Sequence, residues 1–251
     1  MKRLFEFFVA SLLMALFVYA ESPAETFPFG SNSQNNINGT SAAVLRKGSF
    51  TMQLQPQLAG ALLSELSTAG MGIDSVPVVG SGNDQPALFD VLGGSGSLAG
   101  TGEAVRFSFA QPGVLTGIDF DGVKDESLEY FILESTGGVR VNFFDSAANL
   151  TIPNAVDAAV LAGAVTGAVV YLLEINDAID DEAQNLSISF AAGQEFTLTF
   201  NALGPEFRPI LASNGARFQS ITVQSVPEPC DVAMTIGLGL AYCIATVRRR
   251  R

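Results

Sequence analysis

The chain has 251 residues, with 25 Asp+Glu against 13 Lys+Arg, no His, no Trp and two Cys. A formal net charge of −12 speaks against nucleic acid as a partner, because phosphate binding needs an excess of cations. The lack of His removes Ser-His-Asp and Cys-His nucleophilic sites. With the only cysteines at positions 230 and 243, it also removes the usual zinc ligand sets from the rest of the chain.

Taken in order, Met1-Lys2-Arg3 is a basic start, Phe7 to Tyr19 an apolar run, and Val18-Tyr19-Ala20 a small-residue approach to a cut. Residues 1–20 therefore read as a secretory signal peptide cleaved after Ala20, which delivers the rest through the Sec export machinery. Residues 21–42 are rich in Ser, Asn, Pro and Gly and are expected to form a flexible, solvated leader. From Glu21 to Pro229 the chain holds 7 Lys+Arg and 23 Asp+Glu, a formal net charge of −16. Such a chain is soluble and self-repelling, and meets acidic polysaccharide only through divalent cations or uncharged contacts.

Residues 43–225 have the length of one large β domain. Phe50, Met52 and Leu54 alternate with polar neighbours, the period of a half-buried strand, and Pro56 ends it. Leu58, Leu62, Leu63 and Leu66 recur at helical spacing with Gly70 beyond, which predicts a short surface helix over 57–68. Strand-like runs follow at Ile73–Val79 and Ala87–Leu92.

Four alternating sets come next: Val105 to Phe109, Val114 to Phe120, Leu128 to Ile132 and Val139 to Phe143. Breaks of Gln-Pro-Gly, Asp-Gly and Gly-Gly predict an antiparallel meander. Residues 158–173 are uncharged; a loop or short helix over Ala155–Gly163 and a buried strand Ala168–Ile175 account for them better than a membrane span does. Leu186 to Phe190 and Phe196 to Phe200 flank Ala192-Gly193 as an expected hairpin, and Phe218 with the offset pair Ile221 and Val223 predicts a last strand with a bulge. The expected class is all-β: an antiparallel β-sandwich of jelly-roll type, with one or two short helices and a core dominated by 19 Phe.

Two acidic clusters are the only candidates for a metal site in the body. Asp119, Asp121 and Asp125 alternate with other residues ahead of a strand, and Asp177, Asp180 and Asp181 form a dense second group; hard carboxylate oxygens in such numbers are calcium ligands. Against calcium stand the missing EF-hand spacing, the interrupting Phe120 and Val123, and the neighbouring Lys124. A solvated turn at Asp121-Gly122 is the plainer reading. No cofactor is required. An exposed aromatic platform for sugar is not evident, since Tyr130 and Tyr171 fall in strand-like runs expected to face inward. A glycan hydrolase needs two carboxyls ~5–10 Å apart across a cleft, which no spacing here encodes.

The last 26 residues differ in kind. In Val226-Pro227-Glu228-Pro229 two prolines fix φ and push their predecessors out of the helical region, giving an extended, accessible peptide. Cys230–Val247 is an apolar run of 18 residues, ~27 Å long as a helix and so just able to cross a bilayer. Arg248, Arg249, Arg250 and Arg251 form a cytoplasmic stop by the positive-inside rule, which places the body outside.

Residues 226–251 resemble the PEP-CTERM sorting domain of bacterial exported proteins. The resemblance covers about a tenth of the chain, and Cys230 stands where members often carry Ser or Ala. It implies recognition at the Pro-Glu-Pro tripeptide by exosortase, an integral-membrane cysteine transpeptidase of bacteria that make exopolysaccharide. The expectation is a non-enzymatic protein, anchored first in the inner membrane and then delivered to the cell surface or extracellular matrix for a structural or adhesive role. A calcium-dependent or carbohydrate-binding module is the alternative.

Overall fold

The computed structural model describes residues 23–30, 37–66, 70–75, 89, 102–123, 128–145, 151–174, 180–203 and 215–226. They form fourteen strands and one helix, an all-β architecture. The strands are β1 (Glu25–Pro28), β2 (Ala43–Lys47), β3 (Phe50–Pro56), β4 (Leu62–Leu66), β5 (Gly70–Asp74), β6 (Ala104–Phe109) and β7 (Gly113–Asp121). After β8 (Glu129–Ser135) and β9 (Arg140–Phe144) comes helix α1 (Thr151–Leu161). Then follow β10 (Ala168–Tyr171), β11 (Leu173–Glu174), β12 (Asp180–Phe190), β13 (Glu195–Ala202) and β14 (Arg217–Ser225).

The strands divide between two seven-stranded sheets. In the first sheet the order is β11-β12-β7-β14-β5-β4, with β1 also on β14; in the second it is β10-β9-β8-β13-β6-β3-β2. Strand β14 is shared along one side: β5 meets it at Phe218 and β1 continues the line from Ser220 to Val223.

Alternation along each strand sends one set of side chains into the space between the sheets. On β13, Phe196, Leu198 and Phe200 are fully buried, while Glu195, Thr197, Thr199 and Asn201 on the opposite face are only half-buried. All of the largest fully buried side chains are Phe, among them Phe107, Phe120, Phe131 and Phe218. Phe120 of the first sheet stacks on Phe131 of the second at 4.2 Å and 10°, and Phe107 reaches Phe218 across the same gap at 6.4 Å. Rings without a hydroxyl suit this interior, since nothing polar is left to satisfy.

Several sequence-based expectations change. The helix expected over 57–68 is strand β4, paired antiparallel with β5 from Leu62↔Asp74 to Leu66↔Gly70. Gly60, at φ 91, turns the chain where a helix would continue, and Leu63 is fully buried while Leu58 and Leu62 are half-buried. Residues 21–42 are not simply a solvated leader. Their described part supplies β1 and buries Phe27, Phe29 and Ile37 in the core, the alternation of Thr26-Phe27-Pro28-Phe29 being the signal that polar composition hid.

The expected meander is broken as well. β6 and β8 lie in the second sheet and β7 between them in the first, so only β8 and β9 form a hairpin. Likewise β12 and β13 are not a hairpin but lie in different sheets. Alternation fixes which side chains go inward; it does not distinguish a turn within a sheet from an arch between sheets.

The uncharged stretch forms α1 and β10, as the reading of a short helix followed by a strand has it, but the expected buried strand Ala168–Ile175 divides: β10 is a partly exposed edge strand of the second sheet and β11 joins the first. Strand β10 runs parallel to β9, from Ala168↔Val141 to Tyr171↔Phe144, unlike the antiparallel β8–β9 hairpin beside it. A parallel neighbour needs a crossover, and α1 provides it. Pro153 sits in its first turn, where the missing N–H costs nothing. Val156 and Ala159 bury one side of α1 against Tyr130, Ile132 and Phe144 on the outer face of the second sheet, a small core separate from the large one. Asn142 fixes the parallel register by donating from Nδ2 to the carbonyls of Thr166 and Ala168 at 2.8 and 3.0 Å. The offset foreseen in β14 is present as consecutive buried residues, Ser220 and Ile221.

Candidate functional site

The two acidic clusters are brought together, because β7 and β12 are antiparallel neighbours. Asp180 pairs with Asp121, Asp181 with Phe120 and Glu182 with Asp119. Five carboxylate-bearing positions, Asp119, Asp121, Asp180, Asp181 and Glu182, therefore share one end of the first sheet, as a shared calcium site would require.

The carboxylates with described side chains are held by protein donors instead. Asp121, buried, accepts a hydrogen bond and ion pair from Arg217 Nη1 at 2.7 Å. Asp119 accepts from Ser220 Oγ, and Glu182 accepts from Gln184 Nε2. Asp181 has the opposite parity on β12 and is buried; its Oδ2 accepts the backbone N–H of Val123 at 3.1 Å where the chain leaves β7. This is a structural role, a side-chain acceptor for an N–H beyond the end of the strand. Among the described residues no three Asp or Glu side chains converge as a metal cage. Asp125 and Asp177 lie outside the described residues, as do Ala20, Pro227, Glu228, Pro229 and Arg248 to Arg251.

Sequence reasoning passed over two buried acids. Glu103 precedes β6 and its Oε1 accepts from the buried Ser75 Oγ at 2.6 Å, while its carbonyl accepts the Phe200 N–H. Glu129 opens β8 opposite Ala202 and is buried as well. Both flank the end of β13, where Gly102 is indispensable: a Cβ there would lie 1.5 Å from the Phe200 carbonyl oxygen. Each is an isolated acid in a strand-like context, so spacing carried no signal for them.

Tyr130 and Tyr171 do not face the large core. Tyr130 is buried beneath the helix, stacked on Phe144 at 4.5 Å and 12°. Burial raises its pKa, against the opposing pull of the Arg140 charge and a hydrogen bond with Asn201. Tyr171 is only partly covered, on edge strand β10; desolvation raises its pKa and the Asp157 carboxylate adds to the shift. Neither forms a flat exposed platform for a sugar ring.

The tail motif begins where the folded unit ends. A compact unit spans Ala24–Gln224, β14 stops at Ser225, and Val226 is 48% exposed. Glu25 pairs with Val223, so the chain enters and leaves this unit at the same end of the first sheet. Among the described residues no helix is long and apolar enough to cross a membrane; the run Cys230–Val247 lies outside them. No protein-family model, no curated protein and no solved structure matches the chain.

Proposed function

We propose that this is an exported, non-enzymatic surface or matrix protein, a jelly-roll body delivered by a cleaved signal peptide and processed by exosortase. The observation that carries the reading is the C-terminal order itself: Val226-Pro227-Glu228-Pro229, the apolar run Cys230–Val247, then Arg248 to Arg251. Nothing else in the chain requires those three segments in that sequence. The jelly-roll assignment is supported by the strand orders β12-β7-β14-β5 and β9-β8-β13-β6, in which the chain crosses between sheets at every step except the β8–β9 hairpin and the passage from β9 to β12, as two nested Greek keys do.

The placement of the ends supports the same reading. The first and last strands of the body are paired with each other, Glu25 with Val223. Both cysteines lie beyond the folded unit, so its stability rests on packing and not on oxidation during export. Its role is structural or adhesive.

The test is a pair of substitutions in an exosortase-bearing bacterium. Pro227→Ala with Glu228→Gln is expected to keep the tail attached and hold the protein in the inner-membrane fraction, while the parent reaches the surface or medium. Identical processing of variant and parent would refute exosortase sorting.

A further inference from the structure

The two sheets carry opposite charge. The described strands of the first sheet hold nine Asp or Glu and one cation, Arg217; those of the second hold three Glu and four cations, Arg46, Lys47, Arg106 and Arg140. Four of the seven cations between Glu21 and Pro229 are thus collected on one sheet of an otherwise acidic body. Arg140 is paired with Glu134, and Arg217 of the first sheet with Asp121. Arg106 has no ion pair among the described residues, and its Nε is buried without a hydrogen-bond partner. Its guanidinium therefore gains no ion-pair stabilisation from the described residues.

Arg106 stands at the centre of a polar strip. Alternation with Val105 and Phe107 points it outward, Gln55 lies opposite it on β3 and Thr197 opposite it on β13. One step along, Gln53, Ser108 and Glu195 repeat the line across the same three strands. The outward groups are amides, hydroxyls, the Arg106 guanidinium and, at one end of the second line, the Glu195 carboxylate, repeated every ~4.8 Å from strand to strand. Arg46 extends the face on edge strand β2 and is exposed.

We propose that this outer face of the second sheet, centred on Arg106, binds an extended chain of carboxylate-bearing sugars, a polyuronate. The guanidinium fork takes a carboxylate through two parallel hydrogen bonds, and the flanking amides and hydroxyls take sugar hydroxyls. Over β3, β6 and β13 the described strip offers a peptide no apolar anchor; the sheet edge and the exposed Val44 lie beside it on β2. This departs from the expectation that an acidic polysaccharide meets the body only through divalent cations or uncharged contacts: Arg106 and Arg46 stand on the less acidic sheet, and the acidity of the rest of the body makes the binding weak and salt-sensitive. The proposal deepens the adhesive reading above and rests on it for its biological setting, but its test needs no sorting step.

The full chain in uncharged detergent, at physiological salt, is titrated with polygalacturonate and with dextran. Binding to polygalacturonate alone is expected, lost at high salt. Arg106→Gln is expected to weaken it about tenfold or more, as removal of a charge-assisted hydrogen-bond pair does. Arg46→Gln, at an exposed site that leaves the fold untouched, is expected to weaken it by a smaller factor and serves where Arg106→Gln melts early. Equal binding to dextran, equal binding by both variants, or polyglutamate binding as tightly as polygalacturonate overturns the proposal, the last in favour of an acidic peptide. A sorting failure would appear instead as an unchanged tail in the localisation test above.

Discussion

The two outer faces of the sandwich solve the same problem in opposite ways. On the first sheet, polar groups answer one another: Asp121 with Arg217, Asp119 with Ser220, and Thr26 with Thr222 at 2.9 Å. On the second, half the face is closed by α1 over Tyr130 and Phe144, and the other half holds Arg106, which has no ion pair among the described residues. A closed face is explained by stability; an open one with a half-buried guanidinium is not. The difference locates where a ligand belongs, on a body whose acidic residues first draw the eye.

The comparison can be broken at its shared base before its faces are probed. Phe120→Ala removes a ring stacked between the sheets and is expected to cost about 3–5 kcal/mol, read by chemical denaturation. Both faces lose their platform together.

Asp121→Ala acts on the first face alone. It strands Arg217, whose side chain keeps 22% exposure, so about 2 kcal/mol is expected, below the ~3–5 of a fully buried pair. A loss under about 0.5 kcal/mol would mean that the pairing contributes no more than an exposed ion pair.

On the closed half of the second face, pH is the probe. Burial raises the Tyr130 pKa above its unfolded value, so the neutral phenol is favoured in the folded state. The resulting stability is fully present below ~10 and is lost as pH rises through the folded value. Denaturation midpoints are expected to fall through this alkaline range, and Tyr130→Phe should reduce that fall while leaving the neutral-pH midpoint nearly unchanged. An unaltered alkaline profile in the variant would assign the effect to another group.

The smallest expected effect concerns metal. With Asp119, Asp121, Asp181 and Glu182 each held by a protein donor, added calcium should leave the melting temperature unchanged. A saturable rise would show that the acidic end of the first sheet holds an ion and is a second binding region.

The sequence announced most of the strands, because period-2 alternation in β3, β6, β7 and β13 is dictated by a face that must be buried. It did not announce which sheet each strand joins. That choice depends on arches such as the one after Phe109, where the same Gln-Pro-Gly serves equally well for a hairpin. β4 was hidden because Leu62, Leu63 and Leu66 satisfy a helical period by accident, and β1 because four strand residues were embedded in polar composition. The meeting of the acidic clusters needed the β7–β12 register, and the Arg106 strip needed β3, β6 and β13 together. Neither arrangement exists in a linear reading.

Delivery is the claim on which the biological account stands, and the intact mass of the protein recovered from the surface or medium tests it most directly. The account predicts a chain that begins at Glu21 and has lost Arg248 to Arg251 together with the apolar run before them. A mature protein whose mass still includes the four terminal arginines, in cells with active exosortase, would contradict it.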